Sequence, residues 1–323
     1  MTPTLIGVLA LLLSDGGQCL LRDPAVLSPT TTPLGPTRDV RTKDLCPPDR
    51  VRASELPSRG AELPVVPRSG AAPFECEHDG CWAWAGVGHR GALIGAAATL
   101  EVWSPSAHGA EHSLAELALR GGPGLRDVLE IGWAVSPRHR EDGRPFLLVR
   151  RWVAGKLEEG AGGLHPWSSA FAPGMDLSPW IGRPVRVGWL RWEGRWWAWF
   201  EGSWIGWYAS DAEEPFEVAS TAQWFGEVFF SGGRPTLAMG NGHNAEDTDA
   251  ARFRELCIVS KGENHCTPPP SLWPQVTDSA LYGVALEGPD RFRYGGAGAL
   301  SPTLRPRPPP SSASGGTPPA TGR

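Results

Sequence analysis

All sixteen tryptophans lie between Trp82 and Trp273. Side chains of this type bury about 150–250 Å² each and dominate whatever core contains them. The folded part must therefore lie in that span. The flanks cannot extend it. Residues 21–74 are rich in Pro, Thr, Ser, Arg and Gly and have almost no aromatics, so they cannot bury enough apolar surface to hold a fold. They read as a Pro-rich linker or a propeptide. Residues 301–323 (SPTLRPRPPPSSASGGTPPATGR) read as a disordered tail on the same argument. One domain, residues 75–300, remains.

Inside this domain, short β-type runs alternate with turn residues. They are ATLEVW (98–103), VLEIGWAV (128–135), PFLLVRRWV (145–153), VRVGWLRW (185–192), RWWAWF (195–200), SWIGWY (203–208), QWFGEVFF (223–230) and FRELCIVS (253–260). Glu193-Gly194 and Glu201-Gly202 stand where tight hairpin loops are needed, with glycine supplying positive φ. HSLAELAL (112–119) is the one modest helix candidate and could equally be a strand. The expected fold is all-β: a two-sheet antiparallel β-sandwich, jelly-roll-like.

The N-terminus carries a short apolar core, Leu5 to Leu13, in the position of a signal-peptide h-region and too short to span a bilayer. Residues 1–20 read as a signal peptide. The n-region lacks Lys and Arg, and GGQC before Cys19 is a poor lipoprotein box because Gln18 is bulky. The expected location is secreted or cell envelope, with no membrane span. A net charge of −5 leaves no electrostatic footprint for nucleic acid.

Cysteines 76 and 81, and 257 and 266, form two close pairs, which suits disulfides in an exported protein. Zinc is the competing reading, with Cys76, His78, Cys81, His265 and Cys266 as ligands, but the spacing matches no standard zinc pattern. No metal or cofactor is expected. HGAEH places His108 and His112 four apart without the glutamate of HExxH, between Gly, Pro and Ser, and reads as a solvated loop.

Two carboxylates stand inside apolar strands. In VLEIGWAV, alternation puts Leu129, Ile131, Trp133 and Val135 on one face and Val128, Glu130, Gly132 and Ala134 on the other. The first face suits a core. The second leaves space around Glu130 for a water and a substrate backbone. In QWFGEVFF, Glu227 shares a face with Gln223, Phe225 and Phe229, and desolvation there would suit a general acid. Glu101, Asp127 and Glu255 also sit in or beside strands, so pattern alone does not select this pair.

Six segments between about His89 and Leu300 resemble, in order, the neprosin family of secreted glutamic peptidases, known from plants and bacteria. They are ATLEVWSP, LEIGWAVSP followed by DGRPFLLVRRW, RWWAWFEGSWIGWY, WFGEVFFS, MGNGH with ARFREL, and RYGGAG. The resemblance implies a β-sandwich with a long substrate cleft and two catalytic glutamates, Glu130 and Glu227, cleaving peptide bonds after proline in acid. Trp133, Trp197 and Trp224 become candidates to pack on a substrate proline ring. The implied partner is a peptide or protein substrate, acted on by a monomer. The chain departs from the plant pattern in lacking its cysteine pair, where KLEEGAGGLHPW stands, and in having Phe225 in place of glycine. The alternative is a non-catalytic Trp-rich sandwich binding polysaccharide or peptide. A zinc hydrolase fits poorly, and no Gly-x-Ser-x-Gly elbow occurs.

Overall fold

The computed structural model describes residues 75–77, 80–158, 163–168, 170–208, 216–231, 233 and 235–299. The expected signal peptide, linker and tail lie outside these residues. The described chain forms strands β1 (Glu75–Glu77), β2 (Gly80–Glu101), β3 (His112–Gly121), β4 (Asp127–Val135), β5 (Phe146–Val153), β6 (Lys156–Leu157), β7 (Leu164–Pro166) and β8 (Pro184–Trp192). They continue as β9 (Arg195–Phe200), β10 (Ser203–Tyr208), β11 (Ala219–Phe230), β12 (Ala251–Ser260), β13 (Trp273–Val276), β14 (Gly283–Gly288) and β15 (Arg291–Gly295). Helix among the described residues is limited to 3₁₀ turns at Pro123–Leu125 and Ser178–Trp180. The helix candidate HSLAELAL is strand β3.

All eight expected strands are present, and the all-β antiparallel sandwich stands. Its two layers are joined into one curled, hydrogen-bonded sheet in the order β6-β5-β4-β3-β11-β2-β8-β9-β10-β7. The joint is β2. Its first half pairs with β11 and its second half with β8. Between Leu93 and Ala96 the alternation changes phase: Ala83, Ala85, Val87 and Leu93 face the core before it, and Ala96, Ala98 and Leu100 after it. Register shifts flank it, with β11 between Arg90 and Leu93 and with β12 between Leu93 and Gly95.

Between the layers, Leu129, Ile131, Trp133 and Val135 of β4 meet Val187 and Trp189 of β8 and Trp196, Ala198 and Phe200 of β9. Each Leu or Ile so buried contributes about 1.5–3 kcal/mol. Both expected hairpin turns have positive φ at both central residues, 48° and 75° at Glu193-Gly194 and 44° and 79° at Glu201-Gly202. That is the type I′ geometry, whose twist matches the flanking strands.

Both close cysteine pairs are oxidised. Cys76–Cys81 joins facing residues of β1 and β2, and Cys257–Cys266 ties β12 to the loop after it. They cannot supply thiolates to a zinc ion.

Candidate active site

Strand β3 lies between β4 and β11. Its register sets Ala118 opposite Glu130, and Leu114 opposite Glu227. Glu116 stands halfway, facing Gly132 on one side and Phe225 on the other. All three carboxyls therefore leave the same face of one layer, the face away from the inter-layer core. Glu116 is a diagonal neighbour of both others, at the spacing where Cβ atoms are about 7–8 Å apart. The gap beside Glu130, expected to be vacant because Gly132 leaves it, is where Glu116 sits. A Cβ on Gly132 would lie 2.0 Å from the Ala115 carbonyl oxygen and 2.7 Å from the Glu116 Cα. Glycine is required there so that β3 can close on β4.

The three side chains are 1–4 % exposed. Two full negative charges ~7 Å apart repel by about 2–3 kcal/mol at an effective dielectric near 20, and each buried ion also loses several kcal/mol of hydration. Cations on the same face offset this. Arg150 of β5 is the register partner of Glu130, with Nε 4.0 Å from Oε2. Arg120 of β3 is buried two residues beyond Ala118. At the other end, His112 Nε2 is 3.1 Å from Glu227 Oε1. Burial, with the positive charges of Arg150 and His139, pushes His112 well below its ordinary 6.5, which favours the neutral imidazole. Burial, with the charges of Glu130 and Glu227, pushes Glu116 well above its ordinary 4.5, against Arg150 and Arg120.

Trp82 and Trp84 of β2, Trp152 of β5, and Phe225 and Phe229 of β11 wall this face. His112 stacks on Phe229 at 5.3 Å between centroids.

Residues 109–297, more than half of the chain, match the sequence profile of the neprosin family. The chain belongs to the neprosin family. It is accordingly a glutamic-type peptidase. Comparison with curated protein sequences gave no match. Among solved structures, the chain is similar to scytalido-glutamic peptidase bound to a peptide-based transition-state analogue (13 % identity, TM-score 0.42, covering 67 % of this chain and 98 % of that one). It is similar at the same coverage to SCP-B, an eqolisin-family peptidase in complex with the tripeptide Ala-Ile-His (12 %, TM-score 0.42). A carbohydrate-binding module, CBM66 from Bacillus subtilis, gives 8 % identity and TM-score 0.26 over 50 % of this chain and 84 % of that one.

In this neprosin-family chain the three tryptophans expected at the substrate are not on the carboxyl face. Trp133 and Trp224 point into the inter-layer core, their indole N–H groups donating to the Glu101 and Ala97 carbonyls. Parity decides this: each lies an odd number of residues from its strand's glutamate. Trp197 of β9 packs with Trp192, Trp204 and Trp207 on the far face of the second layer. The aromatics beside the glutamates are Trp82, Trp84 and Trp152 instead.

His112 is the other correction. Read as part of a solvated loop, it opens β3 and is fully buried against Glu227. The signal available was the alternation His112, Leu114, Glu116, Ala118, Arg120, which puts every polar side chain of this strand except Ser113 on one face. Among the described residues, the group with metal-ligand spacing is His243, Asp247 and Asp249, whose ligand atoms lie within 4.8 Å of one another on the surface. None of the three buried glutamates belongs to it.

Proposed function

We propose that this neprosin-family peptidase is an exported monomeric endopeptidase that cleaves after proline in acid, with Glu130 and Glu227 activating water. The observation that carries the reading is the unequal setting of two buried carboxyls on one face. The guanidinium of Arg150 beside Glu130 stabilises a carboxylate over a carboxylic acid. Glu227 stands among Phe225, Phe229, Trp84 and a neutral His112, where the uncharged acid costs less. Two carboxyls divided in this way suit a base and an acid.

In the reaction, ionised Glu130 takes a proton from water as the oxygen attacks the scissile carbonyl carbon. Protonated Glu227 hydrogen-bonds the carbonyl oxygen, which becomes the oxyanion, and a proton then passes to the amide nitrogen as the C–N bond breaks. The products are a new carboxyl group and a new amine. His112 fits both states of Glu227: its Nε2–H donates to a carboxylate, and its bare Nε2 accepts from a carboxylic acid. Trp82, Trp84 and Trp152 offer aromatic faces suited to a proline ring. Two disulfides support export to an oxidising compartment.

Digestion of a peptide library across pH, with mass spectrometry of the cut sites, tests the reading. Cuts after proline at acidic pH are expected. Glu130→Gln and Glu227→Gln should each abolish cleavage with the fold intact. Activity retained in either variant overturns the assignment.

A further inference from the structure

The neprosin resemblance points to two glutamates, yet the carboxyl face holds three. We propose that Glu116 is a third functional carboxyl, a positioning residue that holds a proton between Glu130 and Glu227 and supplies it to the pair. The proposal rests on the peptidase reading of that pair and adds to it.

Three observations carry it. The first is place: β3 register sets Glu116 midway between the other two, diagonal to each. The second is charge. Facing Glu116 are Glu130 from β4, Arg150 from β5, Glu227 from β11, and Arg120 and His112 from its own strand. Burial favours a neutral His112, so two guanidinium groups meet three carboxyls, and at least one carboxyl must keep a proton; in the reactive state Glu130 is the ionised member, and Glu227 and Glu116 each hold a proton. Each of the outer glutamates has its own polar neighbour, Arg150 or His112. The central one is the member best placed to stay neutral, and burial beside two like charges favours its acid form. The third is an unmet hydrogen bond: Glu116 Oε2 is buried and has no hydrogen-bond partner among the described residues. A carboxylic O–H there has the outer carboxylates or a bound substrate water as its acceptors.

The proton balance is simple. When Glu227 gives its proton to the leaving amine, Glu116 O–H can reprotonate it. The proton that Glu130 took from water returns to Glu116, and the cluster ends as it began. With Glu116 ionised as well as Glu130, Glu227 has no neighbouring donor from which to recover its proton.

The test compares pH–rate profiles of peptide cleavage for wild type and Glu116→Gln, with Glu130→Gln and Glu227→Gln alongside. Glutamine keeps the shape and a donor but cannot titrate. Its cleavage rate on the acid side should fall about five- to tenfold, and its alkaline limb should move about one pH unit or more lower, because the remaining pair repels less when it ionises. A profile that overlays wild type, or complete loss at every pH with the fold intact, overturns the proposal. A readout independent of cleavage is the infrared C=O band of a protonated carboxyl. A component of it should persist in wild type above pH 4.5, persist in Glu116→Asp and be lost in Glu116→Gln. Its absence from folded wild type overturns the proposal whether or not the protein cuts peptides. Activity surviving in Glu130→Gln or Glu227→Gln overturns the assignment of those two glutamates instead, and leaves the infrared result to decide on Glu116.

Discussion

His112 Nε2 stands 3.1 Å from Glu227 Oε1, with both side chains shut away from solvent. A neutral imidazole at that distance holds the carboxyl in one orientation in either protonation state. Removing one partner of a buried hydrogen bond costs about 1–3 kcal/mol. His112→Ala should therefore lower kcat about ten- to a hundredfold at the acid optimum, with a smaller change in KM. His112→Gln, which keeps a donor near Nε2, should recover part of the loss. Steady-state kinetics of both variants decide this, and equal losses in the two would mean that the imidazole serves packing alone.

Glu116 and His112 should give stability opposite slopes in pH. The folded state raises Glu116 above 4.5, so above that pH the unfolded chain releases a proton that the folded one keeps, and stability falls as pH rises. The folded state lowers His112 below 6.5, so below that pH the unfolded chain binds a proton that the folded one refuses, and stability falls as pH drops. Each slope reaches about 1.4 kcal/mol per pH unit at most. Glu116→Gln should thus gain stability over wild type as pH rises from 4.5 toward 7, read by denaturant unfolding at several pH values.

Arg150 favours the ionised form of Glu130. In Arg150→Met, Glu130 should keep its proton to higher pH, and the acidic limb of the rate profile should move up by about one unit. The fold should lose about 3–5 kcal/mol, because a buried carboxylate is left without its cation. Rate profiles and thermal unfolding measure the two effects separately.

Gly132 leaves no room for a methyl group, since a Cβ would lie 2.0 Å from the Ala115 carbonyl oxygen. The contact is with backbone, so β3 and β4 would have to part. Gly132→Ala should cost more than the ~1 kcal/mol of an average substitution and should displace Glu116 from between its neighbours. Lower thermal stability together with lost activity is expected.

Chelation should leave cleavage unchanged, because the proposed chemistry runs on carboxyls and water. Inhibition by EDTA, reversed by added metal, would count against the two-glutamate mechanism.

Much of this was legible in the sequence because β4 alternates strictly. Leu129, Ile131, Trp133 and Val135 could be assigned to the core, and Glu130 to the opposite face, from period two alone. The same parity places Trp133 away from substrate, but its nearness in sequence to Glu130 suggested otherwise. The first half of β2 was hidden: GCWAWAGVGHRG is Gly- and Ala-rich, so its core face, Ala83, Ala85 and Val87, carries only small apolar side chains and reads weakly as a strand. Glu116 and His112 were hidden for another reason. HSLAELAL fits a helix as well as a strand, and only the pairing with β4 and β11 shows that its polar residues converge on one site. Register between distant segments is not written in local pattern.

The phase change in β2 bears on how such a chain can change length over evolution. One strand sets the alignment of both layers, so a one-residue insertion or deletion between Leu93 and Ala96 could keep the Glu227 side in place while turning Ala96, Ala98 and Leu100 out of the core. Homologous chains should hold this bend at constant length. Length differences should gather instead in exposed connections such as the one around Asp142 and Gly143, where an added residue reaches only solvent.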